Sequence, residues 1–300
     1  MQETQKASFS FKEIASDAIT PDIKPEKFTS YDNAEIAYYR FTATNPTARL
    51  IFLHGGGAHS KMGYFPLAGK LANEFAVETI LMDIRGHGFS EGNRGDCPHT
   101  DSVYKDISQL IKLVRDNLPV YLGGHSSGGG LVLNYSSWAQ KEKPDGYFFV
   151  SPELGYKSKT EKPGRTPFAK VKLGPFIING MTGGKLEQHS FAVSFNYPDE
   201  IISANPLIVK NITVNMANAL TPPNPVKQFQ DIHEPVGLYI GENDELFDIS
   251  KVMDYVHLVK NKNVKSKVIE NENHLSILNV VADEIGKTIS EWQGISKNKK

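Results

Sequence analysis

The sequence has 300 residues, of which 39% are hydrophobic and 22% charged, and a formal net charge of -1 at pH 7. That balance excludes a disordered chain and a general nucleic-acid field, and the length accommodates one large α/β domain with an insertion or two ordinary domains. The one cysteine, Cys97, excludes an internal disulfide framework and fits a reducing compartment.

Residues 1–26 read as an N-terminal arm that mixes Glu, Lys, Ser and Asp with isolated apolar residues and ends at Pro21 and Pro25. The arm has no signal-peptide core, and no apolar stretch elsewhere is long enough to span a bilayer, so a soluble, cytoplasmic protein is expected. Lys27 to Ser30 and Glu35 to Phe41 are β-like runs joined by the turn chemistry of Tyr31-Asp-Asn-Ala, which predicts a hairpin. Leu50 to Leu53 is a buried-type strand that runs into His54-Gly-Gly-Gly57. A helix from Tyr64 to Phe75, a strand from Thr79 to Met82 and the loop Asp83 to Ser90 follow. Strand, helix, strand is the start of a parallel sheet.

Val103, Ile107, Leu110, Ile111 and Val114 give Asp101 to Asp116 a helical period. Val120 to Leu122 reads as a short strand broken by Gly123 and Gly124, with helix-forming residues resuming from Leu131 to Trp138. Tyr147 to Ser151 is the next strand. From Glu153 to Pro225 the strand-helix rhythm stops, and a stretch of that length reads as an inserted cap rather than a structureless loop. The rhythm returns with a strand at Val236 to Ile240, a helix at Ile249 to Val259, a strand at Lys267 to Ile269 and a helix at Leu275 to Trp292, before a basic end at Lys297 to Lys300. The expected organisation is thus a core whose first part is 1–152, a cap at 153–225, and a second core part at 226–300.

Ser126 lies on a sharp strand-to-helix turn, with Gly124 and Gly128 in Gly-x-Ser-x-Gly spacing that lets strand and helix pass closely and exposes the hydroxyl. A serine hydroxyl needs a base, and the base needs an acid to orient it. Residues just past the carboxyl ends of parallel strands converge on one crevice. Ser126, Asp244 and His274 all occupy such places, in the chain order of the α/β-hydrolase triad. Asp244 competes with Glu242, Glu245 and Asp248; Gly241-x-x-Asp fits the acid, and Asp248 suits a helix N-cap. The glycines of His54 to Gly57 and the amide of Ser127 supply donors for an oxyanion. His54, His59, His87, His99 and His125 read as loop histidines, since no His-Glu-x-x-His pattern or cysteine pairing marks a metal; no metal or cofactor is expected. Cys97 with His99 is too local for a thiol catalyst, and the sequon at Asn211-Ile-Thr213 carries no weight without secretion.

Leu-His-Gly-Gly-Gly-Ala-His-Ser, Asp-Ile-Arg-Gly-His-Gly-Phe-Ser-Glu-Gly, Gly-Gly-His-Ser-Ser-Gly-Gly, Gly-x-x-Asp and His274 occur in that order. The series resembles the monoacylglycerol lipase and lysophospholipase-like branch of the α/β-hydrolases, of serine aminopeptidase S33 type, from about Ile36 to Trp292. The resemblance implies a mostly parallel sheet with helices on both faces and an inserted cap. It implies Ser126 as nucleophile, His274 as base, Asp244 as acid, and Gly56 with Ser127 as oxyanion donors. The activity it implies is hydrolysis of a small-molecule carboxylic ester with an apolar acyl group, such as a monoacylglycerol or lysophospholipid, through an acyl-enzyme. Tyr156, Phe168, Phe176, Ile177, Ile178, Phe191, Phe195 and Leu207 suit either an acyl-chain pocket or the cap's own core. Lys157, Lys159, Lys162, Arg165, Lys170 and Lys172 suit either a solvated face or contact with an anionic lipid surface. A thioesterase or aminopeptidase using the same triad, and a receptor without turnover, are the rival readings.

Overall fold

The structure, a computed structural model, describes residues 23–164 and 167–294. The expected arm up to Pro21, Arg165 of the basic cluster and the basic end at Lys297 to Lys300 lie outside the described residues.

The chain opens with the hairpin β1 (Glu26–Thr29) and β2 (Glu35–Phe41), then β3 (Ala48–Leu53), α1 (Phe65–Phe75), β4 (Val77–Met82), α2 (Ser102–Val114), β5 (Val120–His125), α3 (Ser127–Ser137) and β6 (Gly146–Val150). An excursion of short elements follows: β7 (Ala169–Val171), α4 (Leu173–Met181), β8 (Phe191–Phe195), α5 (Asp199–Ala204), β9 (Asn211–Thr213) and α6 (Val214–Leu220). The chain closes with α7 (Pro225–Gln230), β10 (Val236–Gly241), α8 (Ile249–Asp254), β11 (Val264–Ile269) and α9 (Val281–Trp292).

Eight strands form one sheet in the order β1-β2-β4-β3-β5-β6-β10-β11. The first two pairings, β1 with β2 and β2 with β4, are antiparallel, and the rest are parallel. This is the α/β-hydrolase fold expected from the sequence. The inner strands β3, β4, β5, β6 and β10 are buried on both faces because both faces are covered. Ile51 and Leu53 point into a core shared with Ile107, Leu110 and Leu131 of α2 and α3. Leu50 and Phe52 point into another, shared with Leu67 and Leu71 of α1 and Ile285 of α9.

β5 runs on to His125, whereas the glycines of Gly123-Gly124 had suggested an earlier break. The reason is lateral crowding: a Cβ on Gly123 would lie 2.9 Å from Phe52 and 3.1 Å from Phe148. Glycine there makes room for neighbouring aromatics inside a strand. The helix expected at Ile249 to Val259 is α8 followed by a 3₁₀ turn at Tyr255–Leu258, and the expected last helix is a 3₁₀ turn at Ser276–Asn279 followed by α9.

Between β6 and β10 the excursion builds its own antiparallel sheet, β7-β8-β9. Tyr197 and Ile208 pack there with Ala58 and Met62 from the loop after β3, so the excursion shares a small apolar core with the mouth of the main sheet. Among the described residues, no helix is long and apolar enough to cross a membrane.

Candidate active site

Ser126 sits between β5 and α3 at φ 55 and ψ -122. That conformation is unfavourable for a residue with a side chain, by roughly 1–3 kcal/mol, and it persists because the surroundings over-determine it. The Ser126 N–H donates to the Val150 carbonyl at 3.0 Å, and its own carbonyl accepts from Glu153 at 2.9 Å and Gly130 at 3.2 Å. The flanking glycines permit the approach. A Cβ on Gly124 would lie 2.3 Å from the Gly128 carbonyl oxygen, and one on Gly128 would lie 2.4 Å from that of Leu53.

Asp244 and His274 follow β10 and β11, whose parallel pairing brings their ends together. His274 Nδ1–H donates to Asp244 Oδ2 at 2.9 Å, and Asp244 Oδ1 accepts the Leu246 and Phe247 amides at 2.9 and 3.0 Å. Both side chains are buried. Burial alone would raise the Asp244 carboxyl, but the imidazole and the two amides outweigh it and hold the group below its ordinary value. The other acids of this loop bind backbone instead. Glu242 accepts from Asn271, Glu245 accepts the His274 amide at 3.0 Å, and Asp248 caps α8 at Lys251. Asp248 thus has the capping place its sequence context suggested.

The loop after β3 brings Gly55 and Gly56 beside the serine turn. A Cβ on Gly55 would lie 3.3 Å from Ser126 Cβ, and one on Gly56 would lie 2.9 Å from Ser127 Oγ. His54 Nδ1–H donates to the Gly55 carbonyl at 2.9 Å, and its Nε2 accepts the Ile84 amide at 3.0 Å, so one neutral tautomer satisfies both. Gly55 N–H donates to the Tyr64 hydroxyl at 2.8 Å, and that hydroxyl donates to His125 Nδ1 at 3.0 Å. Burial depresses His54, His87 and His125 from 6.5 to about 3, which keeps all three rings neutral. Of the five histidines set aside by sequence, His54 and His125 therefore brace the site. Their signal was their adjacency to the glycine loop and to Ser126.

The Asp83 loop is a second brace. Asp83 accepts the amides of Ser60 at 2.8 Å and Phe89 at 2.9 Å. Arg85, almost fully buried, grips Asp106 and Asp32. This ion-paired knot anchors the loop whose Asp83 holds Ser60 of the loop after β3.

Ser126 and His274 line a common cleft of about 350 Å³, its open mouth included. Gly55, Gly56, Tyr64 and His125 also line it, and Ala58, Met62, Phe168, Tyr197 and Leu275 complete a largely apolar lining. Of the aromatic residues that suit an acyl pocket, Phe168 lines the cleft and Phe195 stacks on it with ring centroids 5.6 Å apart. Tyr156, Ile177, Ile178 and Phe191 are exposed and do not line it.

The family model for serine aminopeptidase, S33, matches residues 44–279. An uncharacterized abhydrolase domain-containing protein of Dictyostelium discoideum is 24% identical over 83% of this chain and 24% of its own length. Human monoglyceride lipase is 24% identical over 85% of this chain and 86% of that one. The chain spans only about a quarter to a third of the first curated relatives it matches. A soluble variant of Saccharomyces cerevisiae monoglyceride lipase, solved with a substrate analog, superposes with a TM-score of 0.69 at 17% identity, covering 91% of this chain and 96% of that one, a likeness of fold.

Proposed function

This chain belongs to the serine aminopeptidase S33 family of α/β-hydrolases, and from that premise we propose that it is a serine esterase acting on a single-chain acyl ester, such as a monoacylglycerol or lysophospholipid. The observation that carries the reading is the meeting of Ser126 and His274 on one apolar cleft, with His274 held at 2.9 Å by the buried Asp244 carboxylate. In this reading His274 takes the Ser126 proton as Oγ attacks the ester carbonyl carbon, and the carbonyl electron pair moves onto oxygen. The amides of Gly56 and Ser127 stabilise that oxyanion. His274 then protonates the departing alcohol, the acyl-enzyme remains, and water activated by His274 releases the acid. Asp244 holds the imidazole in the Nδ1–H tautomer and stabilises its cation.

An aminopeptidase would need a carboxylate to hold the substrate amine, and among the described residues lining the cleft there is no Asp or Glu. We read 153–225 as the cap over this cleft. It exposes Leu173, Ile177, Ile178 and Met181, the last 83% accessible, and Lys170, Lys172 and Lys185, near them in sequence, are exposed too. Exposed apolar side chains next to cations suit contact with an anionic lipid surface from which such esters come.

The test is hydrolysis of acyl esters of graded chain length by the purified protein beside its Ser126→Ala variant. Turnover that rises with chain length and vanishes in the variant supports the reading. Equal turnover in the two proteins would sink it.

A further inference from the structure

The cap reaches the oxyanion loop through a phenol and a backbone amide. Tyr197, which follows β8 and is buried, donates its hydroxyl to the carbonyl of Gly56 at 2.8 Å across 141 residues of chain. One residue further along, the Val209 amide donates to the Gly57 carbonyl at 2.9 Å. The contact is close along its whole length. A Cβ on Gly56 would lie 2.7 Å from the Phe195 ring, and one on Gly57 would lie 2.5 Å from the Val209 carbonyl oxygen and 2.9 Å from the Tyr197 ring.

The geometry matters because Gly56 lies between two peptide planes. A trans peptide is flat, with its C=O and N–H pointing in opposite directions, so holding the carbonyl fixes the N–H of the same plane. The plane carrying the Gly56 N–H is held from the core, by His54 Nδ1–H and the Ala58 amide on the Gly55 carbonyl at 2.9 and 3.2 Å. The plane on the other side of Gly56 Cα is held from the cap, by Tyr197. Glycine restrains neither φ nor ψ through a side chain of its own, so two external holds are what define its conformation. A buried carbonyl that loses its donor has no solvent to turn to and is driven to rotate.

We propose that Tyr197 is a positioning residue of the oxyanion site: its phenol locks the Gly56–Gly57 peptide, the second of the two holds that together define the conformation of Gly56 and so the aim of its N–H. This rests on the serine-esterase reading above and deepens it: the cap takes part in the chemistry as well as enclosing substrate. Burial pushes the phenol's titration up, so it remains a donor across the working pH range.

The test replaces Tyr197 by Phe, which removes one oxygen and keeps the ring against Phe168 and Phe195. Losing an oxyanion donor outright costs about 10²–10³ in kcat, and loosening one is expected to cost roughly tenfold or more. That loss should appear in kcat at every acyl length, with KM within about twofold. Affinity for an acyl trifluoromethyl ketone should fall by the same factor, because Ser126 Oγ bonds its carbonyl carbon, the proton passes to His274, and the oxygen becomes the anion being held. Placing 4-aminophenylalanine at 197 restores a donor and should recover most of the loss. If the Phe variant does not fold, 4-fluorophenylalanine fills the oxygen's place without donating and should show the same deficit. Asn205→Ala cuts another cap-to-core bond, to His59 at 3.0 Å, and should leave kcat unchanged. Unchanged kcat in the Phe variant, a loss confined to KM or to long acyl chains, or undiminished ketone affinity each overturns the role of Tyr197. A wild-type protein without Ser126-dependent turnover or ketone adduct overturns the esterase reading itself, and this inference with it.

Discussion

His125 Nε2–H donates to the backbone carbonyl of His274 at 2.9 Å, so the residue before the serine holds the residue we read as its base. The two rings lie 4.8 Å apart. Since a carbonyl only accepts, His125 must carry its proton on Nε2, and Nδ1 is left to accept from Tyr64. A single hydrogen-bonded path therefore crosses from the glycine loop, through Tyr64 and His125, to the loop after β11. Protonating His125 would put a second donor against Tyr64 and break that path.

Acid should unfold the protein early. His54, His87 and His125 take up protons only near pH 3 when folded but near 6.5 when unfolded, so the unfolded state binds protons first as pH falls. Their stabilisation is complete above about 6.5 and is lost between there and about 3, at up to about 1.4 kcal/mol per pH unit for each ring. The urea midpoint of the full chain should drop steeply from pH 7.5 to 5, and less steeply in His87→Asn. A flat midpoint over that range would exclude the linkage.

Ser126→Gly should be more stable than wild type and inactive. Glycine occupies φ 55, ψ -122 without the strain of a Cβ, which is worth roughly 1 kcal/mol or more and, in a chain of this size, about 2–4 °C in Tm. Ser126→Ala keeps the Cβ and should not gain. Calorimetry of both variants beside an ester assay distinguishes them; equal Tm values would show that the turn is unstrained.

Asp244→Asn should fold and lose about 10³–10⁴ in kcat. The Asn oxygen can still accept from Leu246 and Phe247, but its amide would face His274 Nδ1 and favour the tautomer that cannot take the serine proton. KM should change little. A variant with near-normal kcat would move the acid to another residue.

Contact with anionic lipid is readable by sedimentation with phosphatidylglycerol-containing vesicles. The wild type should pellet with them at low salt and less at high salt. Ile177→Glu with Met181→Glu should stay in the supernatant while hydrolysing a soluble short-chain ester normally. Both side chains lie outside the cleft lining, so a fall in soluble-ester turnover would contradict their assignment to the surface.

The core was legible in the sequence because its strands are continuous apolar runs between amphipathic helices, as at Leu50 to Leu53 and Val103 to Val114. Ser126, Asp244 and His274 could be placed because each follows a strand end, and the structure brings Asp244 to His274 and sets Ser126 with His274 on one cleft. The excursion was not legible in detail. β7 and β9 have three residues each, too few to show a period of two, and both find their partner in β8. Tyr197 was missed because nothing near it in sequence announces a partner at Gly56. Gly123 misled because a glycine that yields space to Phe52 reads the same as one that ends a strand.

Ser126 springs from the middle of the sheet, whereas the loop bearing His274 hangs from β11, the rim strand, paired on one side only and largely open to water. Local opening begins where backbone bonds are exposed and apolar cover is thin. Warming should therefore silence the protein before it melts it, in an inactivation that reverses on cooling, and the temperature ceiling of activity belongs to one edge of the sheet and not to the whole.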